Sequence, residues 1–211
     1  HTMRRRPANN IPIPPASGAF VGEVYGPVNA LEQNAIAALT TWGGYRQTLP
    51  PGGYTVSLDV FVDARTVPAD PNARFVFAVT ATNPDTCQPT GHIYFRAGNQ
   101  ENRPDAFCFS VVDSDPTGPP CDGNDVINYE RDPEAFGWFT FVVEFFANTA
   151  TLEMTARTSI LLDGQAAGLS QTFVIPGGYG GNHFAWFPYI SGYDAVYIDN
   201  AIRTTGGVSP S

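Results

Sequence analysis

Apolar and polar residues alternate along much of this chain, which is the pattern of half-buried β-strands. At 54–62 the apolar residues Tyr54, Val56 and Leu58 begin one face, while Thr55 begins the other. Because successive side chains of a strand point to opposite faces, such stretches predict strands with one face in a core. Related patterns occur at 20–25, 74–81, 92–97, 107–112, 152–162, 170–175, 183–187 and 195–203.

One stretch, WFTFVVEFF at 138–146, is apolar on nearly both faces and predicts a strand that is covered on both sides. Glu144 is its only carboxylate, so this side chain must face solvent, pair with an arginine or bind something. The turn residues Asn148-Thr149 and Asp163-Gly164 come after it in the chain. They predict hairpins with the segments that follow.

The one helical candidate is NALEQNAIAALTTWGGY, at 29–45, whose Ala and Leu spacing is compatible with a short helix. Its second half, at 36–42, favours a strand that ends at the following glycines. The chain is therefore expected to hold about ten or eleven strands and almost no helix. That inventory predicts an all-β sandwich of two antiparallel sheets, packed about 10 Å apart.

The length of 211 residues suits a single large all-β domain. Residues 1–17 are expected to be a tag remnant followed by a disordered or extended N-terminal arm, because 7–18 is rich in proline. The sandwich domain is expected to span 18–204. Residues 205–211 are expected to form a flexible C-terminal tail.

The hairpin at 92–112 carries the first candidate chemistry. Period two places His92, Tyr94 and Arg96 on one face and apolar residues on the other. The polar row has three open interpretations: a floor that binds a ligand, a catalytic row, or a polar surface on which Arg96 pairs with an acid such as Asp59.

The formal net charge is −9, and all 11 basic residues are arginine. Such a chain is repelled by phosphate backbones and by anionic membrane surfaces, so nucleic acid is not expected as a partner. No run of about 18 apolar residues is present, so membrane insertion is not expected either. The sequence does not determine the oligomeric state.

The three cysteines are Cys87, Cys108 and Cys121. Cys87 and Cys121 fall in proline-rich loops at the same end of the predicted hairpin, whereas Cys108 is in the middle of a strand. The preferred interpretation is a Cys87–Cys121 disulfide with Cys108 free, which implies an oxidising compartment. The alternative is three free thiols in a cytosolic protein.

Several segments recur in the order seen in a known group of domains. They are LTTWGGY at 39–45, PPGGYTVSLDVFVD at 50–63, FGWFTFVVEF at 136–145, GGNHFAWFPYI at 180–190 and AVYIDNAIR at 195–203. Together they resemble secreted bacterial domains, mostly uncharacterised, of the concanavalin A-like jelly-roll type related to lectins and glucanases. The resemblance covers roughly residues 18–204. It implies a jelly-roll sandwich in a secreted or cell-surface protein whose signal peptide has been removed.

A shorter resemblance involves YFRAGNQ at 94–100, which is similar to the YFKAG-type strand of jelly-roll alginate lyases. It implies β-elimination on a uronic-acid polymer, in which His92, Tyr94 and Arg96 serve as base, acid and carboxylate neutraliser. In those enzymes the strand lies near the C-terminus, and here it lies mid-chain. A lyase is therefore the alternative expectation.

Aromatic residues suit a glycan site because sugar C–H faces pack on aromatic rings. The loop PYISGYD offers Tyr189 and Tyr193 as candidates for exposure. Trp42, Tyr45, Trp138 and Trp186 belong to the same set of aromatic candidates, but for each tryptophan the favoured interpretation is packing within the sandwich or holding its turns. The predicted ligand-binding set is therefore His92, Tyr94, Arg96, Tyr189 and Tyr193.

Two sets of oxygen ligands are compatible with a structural Ca²⁺ ion, the only cofactor expected. The first is Glu23 with Asp199, on the first and last predicted strands; YIDNAIR resembles the last strand of carbohydrate-binding sandwiches that hold calcium there. The second set, in the loop after the hairpin, is Asp113, Asp115, Asp122, Asn124 and Asp125. Solvated acidic residues are the alternative for both sets.

The sequence thus favours a non-catalytic, extracellular carbohydrate-binding or adhesion module whose partner is a polysaccharide or cell-surface glycan. A polysaccharide lyase is the first alternative. A structural domain of a larger surface protein is the second.

Overall fold

The structure is a computed structural model that describes residues 3–7, 13, 15–26, 28–29, 38–40, 53–62, 70, 72–82, 86, 89–100, 103–113, 126–130, 137–148, 153–175 and 183–205. These residues form fourteen strands, numbered in chain order. They are β1 Met3–Pro7, β2 Phe20–Tyr25, β3 Val28–Asn29, β4 Ala38–Thr40, β5 Tyr54–Val62, β6 Arg74–Thr82, β7 Pro89–Gln100, β8 Arg103–Val112, β9 Val126–Glu130, β10 Gly137–Asn148, β11 Glu153–Leu162, β12 Gln165–Ile175, β13 His183–Ser191 and β14 Ala195–Thr205.

The strands form two antiparallel sheets. The first sheet has the order β1-β2-β14-β5-β10-β11-β12. The second has the order β3-β13-β6-β7-β8-β9, and β4 also pairs with β13. This arrangement confirms the predicted two-sheet jelly-roll sandwich. In the described part of the chain, no helix is long and apolar enough to cross a membrane.

Three strands, β1, β3 and β9, were not expected from the sequence. β1 lies within the segment expected to be a tag remnant and arm, and it pairs with β2 at the edge of the first sheet. Its sequence, MRRRP, has no apolar alternation, so only its partner strand reveals it. β4 falls inside 36–42, as predicted for the second half of the helical candidate.

A phenylalanine core joins the two sheets. Phe95 and Phe77 of the second sheet pack on Phe141 of the first, with ring centroids 4.9 and 6.1 Å apart. Phe109 packs on Phe139 at 4.5 Å in the same layer. Burial of these large rings removes much apolar surface from water, which is the main stabilising term in a sandwich core.

Two turns follow from residues that tolerate a positive φ. Asp163 and Gly164 have φ values of 49° and 79° in the tight β11–β12 connection, as their sequence predicts. Gly53 enters β5 with φ of 89°, and a Cβ at this position would lie 1.9 Å from the carbonyl oxygen of Phe145. A side chain at residue 53 would therefore displace β10.

The strand at 138–146 lies in the middle of the first sheet, but its outer face is not covered as expected. Thr140, Val142 and Glu144 are half-buried there. Glu144 accepts a hydrogen bond from Nε of Arg157 at 2.7 Å, and this carboxylate raises the pKa of Arg157 further above its ordinary value. Of the three options for Glu144, pairing with an arginine is the observed one.

The β7–β8 hairpin forms as predicted, with Tyr94 opposite Val112. Cys108 lies completely buried in β8, with its Sγ 3.7 Å from the carbonyl oxygen of Gly98. Cys108 is disulfide-bonded, so the expectation that its thiol is free is wrong. Cys87 and Cys121 lie outside the described residues. Because a cysteine joins one disulfide, a bond from Cys108 to either of them also excludes the expected Cys87–Cys121 pair.

Candidate functional site

The candidate site lies on the outer face of the second sheet, the face that points away from the core. Along β6, Phe75 and Phe77 point into the core, so Arg74, Val76 and Thr80 point outward. The register of β6 with its two neighbours then places residues of β7 and β13 beside them. The outward residues form one row across four strands, in the order Trp186, Ala78, Tyr94 and Val112.

An apolar cluster forms the floor of this face. Val76, Ala78 and Tyr94 are buried, and the partly buried side chains packed against them are those of Val112, Trp186 and Tyr189. Alternation along β6 and β7 explains why Val76, Ala78 and Tyr94 share this face. It does not explain the approach of Trp186 and Tyr189, because β13 shifts register between these two residues and thereby turns both rings onto the same cluster.

Three side chains of the same face are joined by hydrogen bonds. Nε1 of Trp186 donates to Oγ1 of Thr80 at 2.9 Å, and Oγ1 of Thr80 lies 2.9 Å from Nδ1 of His92. Thr80 is completely buried. Its hydroxyl has one proton and accepts from the indole, so that proton points to Nδ1, and the imidazole proton lies on Nε2.

His92 is neutral at pH 7 because burial lowers its pKa below the ordinary value of 6.5. Its ring stacks on Tyr94, with centroids 5.3 Å apart and planes 16° apart. No described residue forms a hydrogen bond with Nε2. The half-buried His92 therefore presents an N–H donor at the boundary between the buried floor and solvent.

Tyr94 and Arg96 belong to the same row but are each only 6% exposed. Nε of Arg96 donates to Oγ of Ser110 at 3.1 Å on the neighbouring strand. The suggested Arg96–Asp59 pair is wrong, because Asp59 lies on the first sheet and accepts hydrogen bonds from Thr140 and Asn200. The three residues predicted to share a face do so, yet only His92 is substantially open to solvent.

The two tyrosines of the PYISGYD loop have different positions. Tyr189 lies at the outer face, where the guanidinium carbon of Arg74 is 5.0 Å from its ring centroid. Tyr193 packs edge-on against Phe75 with centroids 5.6 Å apart, and its hydroxyl oxygen is buried. The structure therefore brings Tyr189 together with His92, Tyr94 and Arg96, whereas Tyr193 supports the main core and is not the exposed loop residue expected.

Glu23 and Asp199, the first predicted calcium pair, share the outer face of the first sheet. Glu23 is buried and accepts a hydrogen bond from the hydroxyl of Tyr25 at 2.5 Å. Asp199 accepts backbone hydrogen bonds from Ser17 and Asn200, at 3.0 and 2.8 Å. Both carboxylates thus have partners within the protein.

Of the second calcium set, only Asp113 is described, and it is exposed at the end of β8. Asp115, Asp122, Asn124 and Asp125 lie outside the described residues. Among the residues described, no group of three or more His, Cys, Asp or Glu side chains could hold a metal ion. Calcium binding remains a prediction for both sets.

Three residues of the site are absent from the set predicted from sequence. Arg74 is the first residue of the outward row of β6 and Thr80 comes later in it, and packing was the favoured interpretation for Trp186. Thr80 stands out in RFVFAVTAT as a polar residue on a strand of apolar neighbours, which is a usable signal. Arg74 and Trp186 become site residues only through strand register, which a single sequence does not reveal.

No protein-family model matches this chain, and no curated protein matches it. Among solved structures, the chain is similar to a legume lectin-like domain from Entamoeba histolytica. The two are 8% identical, with a TM-score of 0.47 over 97% of this chain and 90% of that chain. It is also similar to part of the tail fiber protein gp63.1 from an E. coli phage, at 14% identity and a TM-score of 0.23, over 76% of this chain and 16% of that one. Both likenesses are distant, and the fold assignment rests on the strand order and core of this chain.

Proposed function

We propose that this chain is a non-catalytic carbohydrate-binding or adhesion module that holds its glycan on the outer face of the second sheet. The observation that carries the proposal is the hydrogen-bonded series Trp186–Thr80–His92, which lies beside the half-buried ring of Tyr189. A sugar offers C–H faces that pack on aromatic rings and hydroxyl groups that need hydrogen-bond partners. This face supplies both kinds of group.

The aromatic part of the site is held in place before a ligand arrives. The indole N–H of Trp186 is satisfied by Thr80, and one side of the ring rests on the buried cluster. A ring held in this way loses little conformational freedom on binding, so more of the stacking energy contributes to affinity.

The polar part of the site is neutral. His92 stays uncharged at pH 7 and offers its Nε2–H, which suits a sugar hydroxyl. Catalysis by β-elimination would require Tyr94 and Arg96 to reach the polymer as well, and both are buried within the sheet face. The geometry therefore favours binding over the lyase alternative.

The proposal includes an extracellular or cell-surface location, with a polysaccharide or cell-surface glycan as partner. The disulfide bond of Cys108 supports this location, because disulfides persist in oxidising compartments.

A matched pair of tryptophan variants tests the proposal. Trp186→Ala removes a ring from the candidate site, whereas Trp138→Ala removes a half-buried ring from the outer face of the first sheet, where it packs on Phe61 at 5.3 Å. Both variants and the parent are assayed on a panel of neutral and acidic glycans, followed by titration calorimetry. Trp186→Ala is expected to weaken binding about tenfold or more, as the loss of one aromatic contact implies, and Trp138→Ala is expected to bind like the parent.

Two results would count against the proposal. If the parent protein binds no glycan of the panel, with or without calcium, the carbohydrate function is wrong. If Trp138→Ala loses binding and Trp186→Ala retains it, the site is on the other sheet. Formation of unsaturated uronate products from a polyuronate would instead establish the lyase.

A further inference from the structure

Arg74 stands at one end of the candidate site, and none of the described carboxylates pairs with it. It is the first residue of β6 and is half-buried on the outer face. Its Nε is buried and has no hydrogen-bond partner in the part of the chain that the structure describes. A guanidinium group partly removed from water needs compensation, and such groups are usually paired.

Among the described residues near Arg74, the charged neighbour on the same face is Arg96, whereas the carboxylate of Asp70 lies just before β6 and accepts a hydrogen bond from a backbone N–H. The register partners of Arg74 are Gly98 on β7 and Ser191 on β13, and the next outward residue of β7 is Arg96. Diagonal neighbours of this kind lie roughly 7–8 Å apart across an antiparallel pair. Of the side chains described on the strands of this face, none is a carboxylate.

Tyr189 sets the position of the Arg74 side chain. The guanidinium carbon lies 5.0 Å from the ring centroid, within the range of a cation–π contact. A Cβ at Gly98, directly across from Arg74, would lie 2.7 Å from the Cβ of Arg74, so this position needs glycine for the close approach of β7 to β6. The guanidinium is held at the edge of the aromatic cluster by the ring of Tyr189.

We propose that the glycan bound here is acidic, and that Arg74 binds its oxyanion group, a carboxylate or a sulfate, beside the ring of Tyr189. This inference rests on the proposed carbohydrate function and adds the class of sugar. A planar guanidinium group matches an oxyanion by two parallel N–H···O bonds from its terminal nitrogens. The neighbouring ring takes the apolar face of the same sugar unit, and the neutral His92 donates to a hydroxyl further along the face.

The test uses ligands that differ only in charge. Polygalacturonate is compared with the same polymer after reduction of its carboxylates to alcohols, and dextran sulfate is compared with dextran. The parent protein is expected to bind at least one acidic polymer about tenfold or more tightly than its neutral counterpart. Which acidic polymer is preferred distinguishes a carboxylate from a sulfate.

Arginine variants complete the test. Arg74→Gln is expected to bind the acidic and neutral polymers equally, and Arg74→Lys to keep part of the preference because the charge remains. Arg157→Gln is the matched control, because Arg157 also lies over a ring, that of Phe146 at 5.2 Å, but on the other sheet. It is expected to keep the full preference. Thermal melts confirm that each variant is folded.

The outcomes separate this inference from the broader function. Equal binding of the acidic and neutral polymers by the parent protein overturns the role of Arg74 and leaves the carbohydrate site standing. The same conclusion holds if folded Arg74→Gln retains the preference for the acidic polymer. No binding to any of the four polymers or to the wider glycan panel overturns both.

Discussion

Nε1 of Trp186 and Oγ1 of Thr80 lie 2.9 Å apart, on neighbouring strands of the second sheet. The bond connects the indole ring of the site to a threonine that is completely buried. Since the same hydroxyl also contacts Nδ1 of His92, one threonine holds two candidate ligand-binding side chains in place.

Replacing this threonine tests that role. Thr80→Val keeps the shape of the side chain but leaves the indole N–H without its partner, so we expect a loss of about 1–3 kcal/mol in the free energy of unfolding. Urea denaturation measures the loss. Thr80→Ser keeps the hydroxyl and is expected to lose much less, and equal losses for the two variants would show that the hydrogen bond contributes little.

The depressed pKa of His92 makes stability depend on pH. Below the ordinary pKa of 6.5 the unfolded chain binds a proton at His92 that the folded chain does not bind until a lower pH. The contribution of neutral His92 to the free energy of unfolding is therefore fully present above pH 6.5, and it is lost as the pH falls through the folded-state pKa.

Denaturation of the parent protein and of His92→Gln across this window isolates the effect. As the pH falls, the unfolding free energy of the parent is expected to decrease more than that of His92→Gln, because glutamine does not titrate. NMR should assign His92 a titration midpoint below 6.5, with the signal identified by its absence from His92→Gln. A midpoint above 6.5 would contradict the assignment of a neutral, desolvated ring.

Asn200 donates hydrogen bonds to two carboxylates on neighbouring strands. Asp59 and Asp199 are register partners on β5 and β14, a like-charge arrangement that is unfavourable by itself. The side-chain amide of Asn200 donates to Asp59 at 2.8 Å, and its backbone N–H donates to Asp199. Asn200 does this with φ of 45°, in the left-handed region that asparagine tolerates.

Two substitutions separate the hydrogen bonds from the backbone conformation. Asn200→Gly loses the side-chain bonds but accepts the positive φ, whereas Asn200→Ala loses the bonds and is also strained. We expect both to be destabilised, with the alanine variant worse by about 1 kcal/mol. Chemical denaturation measures the difference, and equal stability of the two variants would show that the backbone at residue 200 relaxes around the new residue.

The disulfide of Cys108 can be mapped directly. After the free thiols of the unreduced protein are alkylated, proteolysis and mass spectrometry should find Cys108 in a disulfide-linked peptide and one alkylated cysteine elsewhere. Recovery of alkylated Cys108 together with a Cys87–Cys121 peptide would restore the pairing inferred from the sequence alone.

Local alternation was enough to find most of the strands, including β5 and the β7–β8 hairpin, because period two is a property of each segment by itself. It also placed His92, Tyr94 and Arg96 on one face. What it could not supply was register between strands that are distant in the chain. The approach of Arg74 to Tyr189 and the Trp186–Thr80 bond both depend on that register.

The burial of individual side chains was the second property that local sequence patterns could not predict. Arg96 and Tyr94 have the residue types of a polar surface, yet both are buried, whereas Tyr193 has the sequence context of a loop and packs its ring on Phe75. Composition predicts how many polar residues must reach solvent. Only the assembled sheets determine which of them do so.

The position of β14 between β2 and β5 bears on how the chain is made in the cell. During synthesis β2 and β5 leave the ribosome early, whereas the strand that joins them is the last of the fourteen. Until it emerges, the growing chain carries two unpaired strand edges, which favour association with other chains. The first sheet therefore closes only after β14 has left the ribosome, and chaperone protection of the nascent chain is most valuable before that point.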